Sequence, residues 1–154
     1  MPKNILIVED DALKSNQIMS FAKSVNNDIL INRKESLNSG LLELLKNPYD
    51  LIILDMSLPT FDKNESEFFQ PYGGLLFLDE VKRKKYTCPV VVVTQYATFG
   101  ESSGEAEISF NEIDLECKNK YPNFKEIIYY LDESWKEKLK KYIVGEIDDK
   151  DIIC

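Results

Sequence analysis

The chain predicts an α/β domain, a parallel sheet of five strands wrapped by helices on both faces. Three observations point there. Short apolar runs (Ile5–Val8, Ile29–Ile31, Leu51–Leu54, Val90–Val93, Ile127–Tyr130) alternate along the sequence with longer amphipathic stretches, the order expected of repeated βα units. Leu51–Leu54 and Val90–Val93 are apolar at every position, the pattern of strands buried on both faces. A length of 154 residues with 44% hydrophobic composition suits a single domain with an ordinary core.

Taken in order, Ile5–Val8 reads as the first strand and ends in Glu9, Asp10 and Asp11. Leu13, Ile18, Met19, Phe21, Ala22 and Val25 then recur at helical spacing, with Asp11 placed to cap the helix. Residues 28–32 form a second strand. Ser36 opens a helix carrying Leu37, Leu41, Leu42 and Leu45, closed by Asn47-Pro48. The Leu51–Leu54 strand stops at Asp55, and Pro59 prevents its continuation. Residues 60–72 read as a long loop. Gly73-Gly74 leads into an amphipathic helix that ends in Lys82-Arg83-Lys84-Lys85, charges suited to a helix C-terminus. The Val90–Val93 strand ends in Thr94, and residues 95–107 read as a loop. Ser109 and Glu112 fit a capping box for a helix to about Lys120. Residues 124–131 form a fifth strand. Ser134 is expected to cap a last helix containing Trp135, Leu139, Tyr142 and Ile143, stopped by Gly145. The domain therefore spans 1–145, followed by an acidic tail over 146–154.

The bulk numbers exclude several functions. A net charge of −8, from 27 acidic and 19 basic residues, argues against binding nucleic acid. No apolar run approaches the ~20 residues that cross a bilayer, and Ile5–Val8 is too short for a signal-peptide core. A cytoplasmic location, with no membrane partner, is the expectation. The three cysteines are scattered and read as reduced thiols. The absence of histidine rules out acid–base chemistry or metal ligation by that residue within the chain.

What remains is a set of polar residues at strand ends. Ligands of open parallel sheets bind beyond the carboxyl ends of the strands. In a sheet of order 2-1-3-4-5 the ends carrying Glu9 and Asp10, Asp55, and Thr94 are neighbours. Carboxylates gathered this way repel one another unless a cation joins them. Oxygen-only ligands favour a hard ion such as Mg2+. A carboxylate nucleophile, Mg2+ and a hydroxyl to hold a phosphoryl oxygen are the equipment for making an aspartyl phosphate.

The chain resembles the receiver domains of two-component response regulators. Residues 5–11 (Ile-Leu-Ile-Val-Glu-Asp-Asp), 51–59 (Leu-Ile-Ile-Leu-Asp-Met-Ser-Leu-Pro) and 89–94 (Pro-Val-Val-Val-Val-Thr) carry the resemblance, in the right order, over residues 3 to about 145. It implies the flavodoxin-like receiver fold, with 1–145 as the receiver domain. It also implies Asp55 as phosphoacceptor, Asp10 as a direct Mg2+ ligand, Glu9 acting through water, and a contribution from the backbone carbonyl of Ser57. Thr94 would contact the phosphoryl group, and Tyr129 or Tyr130 would be the aromatic switch on the fifth strand. The implied partners are a histidine kinase or phosphotransfer protein, an output protein, and, for self-association, a second copy in a homodimer. Receivers are phosphoacceptors rather than enzymes.

Two departures accompany the resemblance. Receivers usually end the fifth strand with a lysine and proline, whereas residues 129–135 read Tyr-Tyr-Leu-Asp-Glu-Ser-Trp. Residues 60–72 and 95–123 are longer than the family pattern and flank the site's mouth. The leading expectation is a stand-alone receiver that takes a phosphoryl group at Asp55 and signals by protein contact. The alternatives are a phosphorylation-independent pseudo-receiver adaptor and a Mg2+-dependent phosphatase. The last is disfavoured because Met56-Ser57, not a second carboxylate, follow Asp55.

Overall fold

The apolar runs line up as one parallel sheet because each is short, strongly strand-forming and separated from the next by a helix. The computed structural model describes residues 4–61, 69–70, 73–95, 98–99 and 108–145. Its elements are β1 (Asn4–Val8), α1 (Ala12–Val25), β2 (Leu30–Lys34), α2 (Leu37–Lys46), β3 (Leu51–Leu54), β4 (Leu58–Pro59) and β5 (Phe69–Gln70). They continue with α3 (Gly73–Arg83), β6 (Val90–Thr94), β7 (Thr98–Phe99), β8 (Ile108–Ser109), α4 (Phe110–Lys120), β9 (Phe124–Tyr129) and α5 (Trp135–Val144). The main sheet runs β2-β1-β3-β6-β9, all parallel, which is the expected order.

Alternation along the strands divides the core into two layers. Ile5, Ile7, Leu51, Ile53, Val91, Val93 and Ile128 pack with Ile18 and Ala22 of α1 and with Trp135, Leu139 and Ile143 of α5. Leu6, Val8, Ile52, Leu54, Val90, Val92 and Ile127 pack on the other face with Leu44 of α2, Phe77, Leu78 and Val81 of α3, and Ile113 and Cys117 of α4. The three central strands are covered on both faces, which explains their unbroken apolar sequence. No helix among the described residues is long and apolar enough to cross a membrane.

Local chemistry accounts for the boundaries. The Asp11 side chain caps α1 by accepting from Lys14 N at 3.1 Å. Ser36 and Ser39 form a reciprocal capping box on α2. Gly145, at φ 80°, closes α5 in the left-handed conformation. Other expectations need correction. The second strand begins at Leu30, not 28, because Asp28 N and Ile29 N both bond to Asn26, its side chain and its carbonyl respectively, holding 26–29 as a turn. The fifth sheet strand, β9, stops at Tyr129, where Asp132 N bonds back to Tyr129 O. Ser134 does not cap α5; its hydroxyl donates to Asp132 Oδ1 at 2.8 Å. Leu13, expected on the buried face of α1, is exposed.

Each of the two long connections contains a short antiparallel pair. Leu58–Pro59 pairs with Phe69–Gln70, and Thr98–Phe99 with Ile108–Ser109. The remainder of both, residues 62–68, 71–72, 96–97 and 100–107, lies outside the described residues, as does the tail expected over 146–154.

Candidate functional site

The site forms where β1, β3 and β6 end side by side. The register pairs Val8 with Leu54 and Leu54 with Val92, so the residues that follow emerge together at one edge. Glu9, Asp10 and Asp55 place one carboxylate oxygen each within 4.8 Å of the others. Glu9 and Asp55 are buried, and Asp10 is half-buried. Thr94, fully buried at the end of β6, lies by strand alternation on the face of Val90 and Val92. Ser57 is half-buried in the bend between β3 and β4.

The backbone around this cluster is held from several sides. Asp55 N donates to Val8 O at 3.1 Å, and Met56 N donates to Asp55 Oδ1 at 2.9 Å. Arg33 of the edge strand β2 donates to Glu9 O and Asp10 O, both at 3.1 Å, and so pins the acidic turn. The start of α3 lies directly against the turn that follows β3. A Cβ on Gly74 would come within 2.9 Å of Asp55 O and Met56 Cα, and Gly74 N donates to Met56 O at 2.7 Å. Only glycine permits that approach.

The cation that the end of β9 lacks comes from elsewhere. Lys14 of α1 is only 2% exposed. Its Nζ lies 2.7 Å from Glu9 Oε1 and 3.2 Å from Asp55 Oδ1, and it donates to Gln95 Oε1 at 3.0 Å. The ring of Tyr130 sits 5.7 Å from the ammonium. The lysine is absent from the end of the fifth strand, as the sequence reads, and a lysine on the first helix reaches the site instead. Its signal lay in the sequence. Lys14 precedes Ile18 by four residues and Ala22 by eight, so it falls on the buried stripe of α1 rather than on the solvated face. Arg33 and Gln95 carried no local signal, because their roles depend on pairing across distant elements.

One ammonium does not balance three carboxylates. Burial, then the neighbouring Asp55 charge, pushes the Glu9 carboxyl up to about 7 against the relief from Lys14. Burial raises Asp55 as well, opposed chiefly by Lys14, and raises Asp10. Such a cluster favours a cation. The donor set, carboxylate oxygens within a few ångströms of one another and no nitrogen or sulfur, fits Mg2+.

Of the two candidate switch tyrosines, Tyr130 is the one on the Lys14 side. Its ring centroid is 5.2 Å from that of Trp135, its hydroxyl bonds to Gln17 of α1, and its N donates to Thr94 O at 2.7 Å. By alternation Tyr129 belongs to the opposite face of the sheet.

No protein-family model matches the chain. Among curated proteins, an uncharacterized protein y4jR of Sinorhizobium fredii is 30% identical over 142 residues, covering 88% of this chain and 93% of the relative. The Detocs response regulatory protein DtcB of Enterobacter cloacae is 27% identical over 147 residues, 90% of this chain and 97% of the relative. Among solved structures, a CheY-like response regulator receiver domain protein from Methanospirillum hungatei superposes with a TM-score of 0.67 at 16% identity, covering all of both chains. The response regulator TrrA of Thermotoga maritima, solved in complex with Mg(2+)-BeF, gives a TM-score of 0.62 at 22% identity over 91% of this chain and 98% of its own.

Proposed function

Because the chain belongs to the response regulator receiver family, we propose that Asp55 accepts a phosphoryl group and that the modified domain signals by contact with another protein. The observation that carries this reading is the convergence of Glu9, Asp10 and Asp55 within 4.8 Å of one another. A carboxylate nucleophile beside carboxylates able to hold a divalent cation suits the formation of an aspartyl phosphate.

In this reading Asp55 Oδ1 is engaged by Lys14 Nζ and Met56 N, which leaves Oδ2 to attack. The bond from Oδ2 to phosphorus forms as the phosphorus–nitrogen bond of a phosphohistidine breaks. The electron pair stays on the imidazole, which takes up a proton. The chain has no histidine, so the donor is a histidine kinase or phosphotransfer protein. Glu9, Asp10, Asp55 and the backbone carbonyl of Ser57 would hold Mg2+, which when bound screens charge on the phosphoryl oxygens. The complex of TrrA with Mg(2+)-BeF supports such a site in a protein of the same fold. Thr94, ending the neighbouring strand, would supply its hydroxyl to a phosphoryl oxygen. Burial of Asp55 keeps bulk water from the acyl phosphate once formed.

Incubation with a small acyl phosphate and Mg2+, followed by intact-mass measurement, tests the reading. One added phosphoryl group on the wild type and none on Asp55→Asn is the expected result. An unmodified wild type overturns it in favour of a pseudo-receiver adaptor.

A further inference from the structure

We propose that Lys14 is the phosphoryl-contacting cation of this receiver, supplied by α1 in place of a lysine at the end of β9; the inference rests on Asp55 being the phosphoacceptor. Residues 130–134, which follow β9, are Tyr, Leu, Asp, Glu and Ser and offer no cation. Lys14 is the one lysine buried among the described residues, and its ammonium points into the site. An ammonium has three N–H donors. Here they face three acceptors, Glu9 Oε1, Asp55 Oδ1 and Gln95 Oε1.

That arrangement is poised to change with the charge on Asp55. Transfer replaces a singly charged carboxylate by a phosphoryl group carrying about −1.5 to −2 and three strong acceptor oxygens. The group is attached to the carboxyl that Nζ already touches. The best partner for Lys14 then shifts from Glu9 toward the phosphoryl oxygens, within reach of a compact ammonium on a flexible stem. Glu9 and Gln95 each lose a bond to Lys14 as that happens. Because Lys14 belongs to α1, the first turn of that helix feels the event directly. So does the aromatic group beside it: Tyr130 packs on Trp135, and Trp135 packs on Phe21 of α1 at 5.6 Å. Trp135 is the only tryptophan of the chain, so its fluorescence reports on this side of the molecule.

Lys14 and Mg2+ also share ligands, which gives the proposal a signature that simple misfolding does not. Lys14→Met deletes one positive charge from a cluster of three carboxylates. Two quantities then move in opposite directions. Phosphorylation by acetyl phosphate, followed by intact mass, slows by about tenfold or more, the usual scale for losing a charge-assisted hydrogen bond. Mg2+, titrated through Trp135 fluorescence, binds several-fold tighter. Lys14→Gln, which keeps a donor in the pocket without the charge, behaves as Lys14→Met, and Lys14→Arg recovers part of the rate. A variant with both quantities weakened, or with neither changed, while the wild type is modified on Asp55, overturns the role of Lys14 alone. A wild type that takes no phosphoryl group overturns the phosphoacceptor reading and this inference with it.

Discussion

Glu9 and Glu43 are both buried glutamates, 2% and 8% exposed, yet their environments push them in opposite directions. Glu43, on α2, accepts from the Tyr49 hydroxyl at 2.5 Å and from Asn47 Nδ2 at 2.9 Å, with Lys34 3.9 Å away. Those bonds, Tyr49 first, hold its carboxyl below the usual range. Glu9 has the closer lysine but shares it with Asp55 and sits beside Asp10 as well, and burial wins. The first cluster is satisfied and has no use for a ligand. The second is short of positive charge, a state that native proteins retain chiefly where a ligand or reaction supplies the balance.

The largest expected effect of this contrast is a difference in sign. Glu43→Gln removes a charged acceptor from the Tyr49 hydroxyl and should lower unfolding free energy by about 1–2 kcal/mol. Glu9→Gln, measured without metal near pH 7.5, leaves Lys14 paired with Asp55 and reduces the net charge of the cluster. It should raise stability, by on the order of 1 kcal/mol. Chemical denaturation of both variants decides the matter; a Glu9→Gln protein less stable than wild type would break the comparison.

Magnesium sharpens it next. An ion held by the cluster stabilises the folded state by mass action. Asp10→Asn should weaken that metal affinity by about tenfold, since it removes a full charge at close range. Asp11→Asn should change it little, because the Asp11 side chain is spent on capping α1. Equal losses of magnesium-dependent thermal shift in the two variants would remove Asp10 from the site.

The last effect is on pH dependence. The Glu9 carboxyl is raised from 4.5 to about 7, so between those values the folded protein holds more protons than the unfolded chain. Its contribution to stability is therefore fully present below pH 4.5 and is lost as pH rises through 7. Metal-free wild type should lose stability over that window relative to Glu9→Gln, whose own slope lacks this component. Parallel pH profiles for the two proteins would contradict the assignment.

Much of this site was legible in the sequence for a physical reason. Glu9, Asp10, Asp55 and Thr94 each follow an apolar run, and a parallel sheet delivers strand ends to one edge. Gly73-Gly74 marked the start of α3, and the structure shows why glycine is needed there, against Leu58 and the Asp55–Met56 backbone. Lys14 is easily passed over because a lysine usually marks solvated helix surface, although its spacing from Ile18 and Ala22 places it on the buried stripe of α1. Its burial follows from partners 5 and 41 residues away in the chain. The start of β2 was misplaced because Ile29 extends the apolar run toward Asp28, while the Asn26 turn decides where the strand begins. Ser134 failed as a cap because Asp132, two residues earlier, takes its hydroxyl.

The most direct test of the phosphoacceptor account is to locate the phosphoryl group. Wild-type protein treated with acetyl phosphate and Mg2+ is digested under conditions that preserve acyl phosphates, and its peptides are weighed. The added mass should fall on the peptide containing Leu51–Pro59 and be absent from the same peptide of Asp55→Asn. A phosphoryl group found on any other peptide, or retained in Asp55→Asn, would contradict the account.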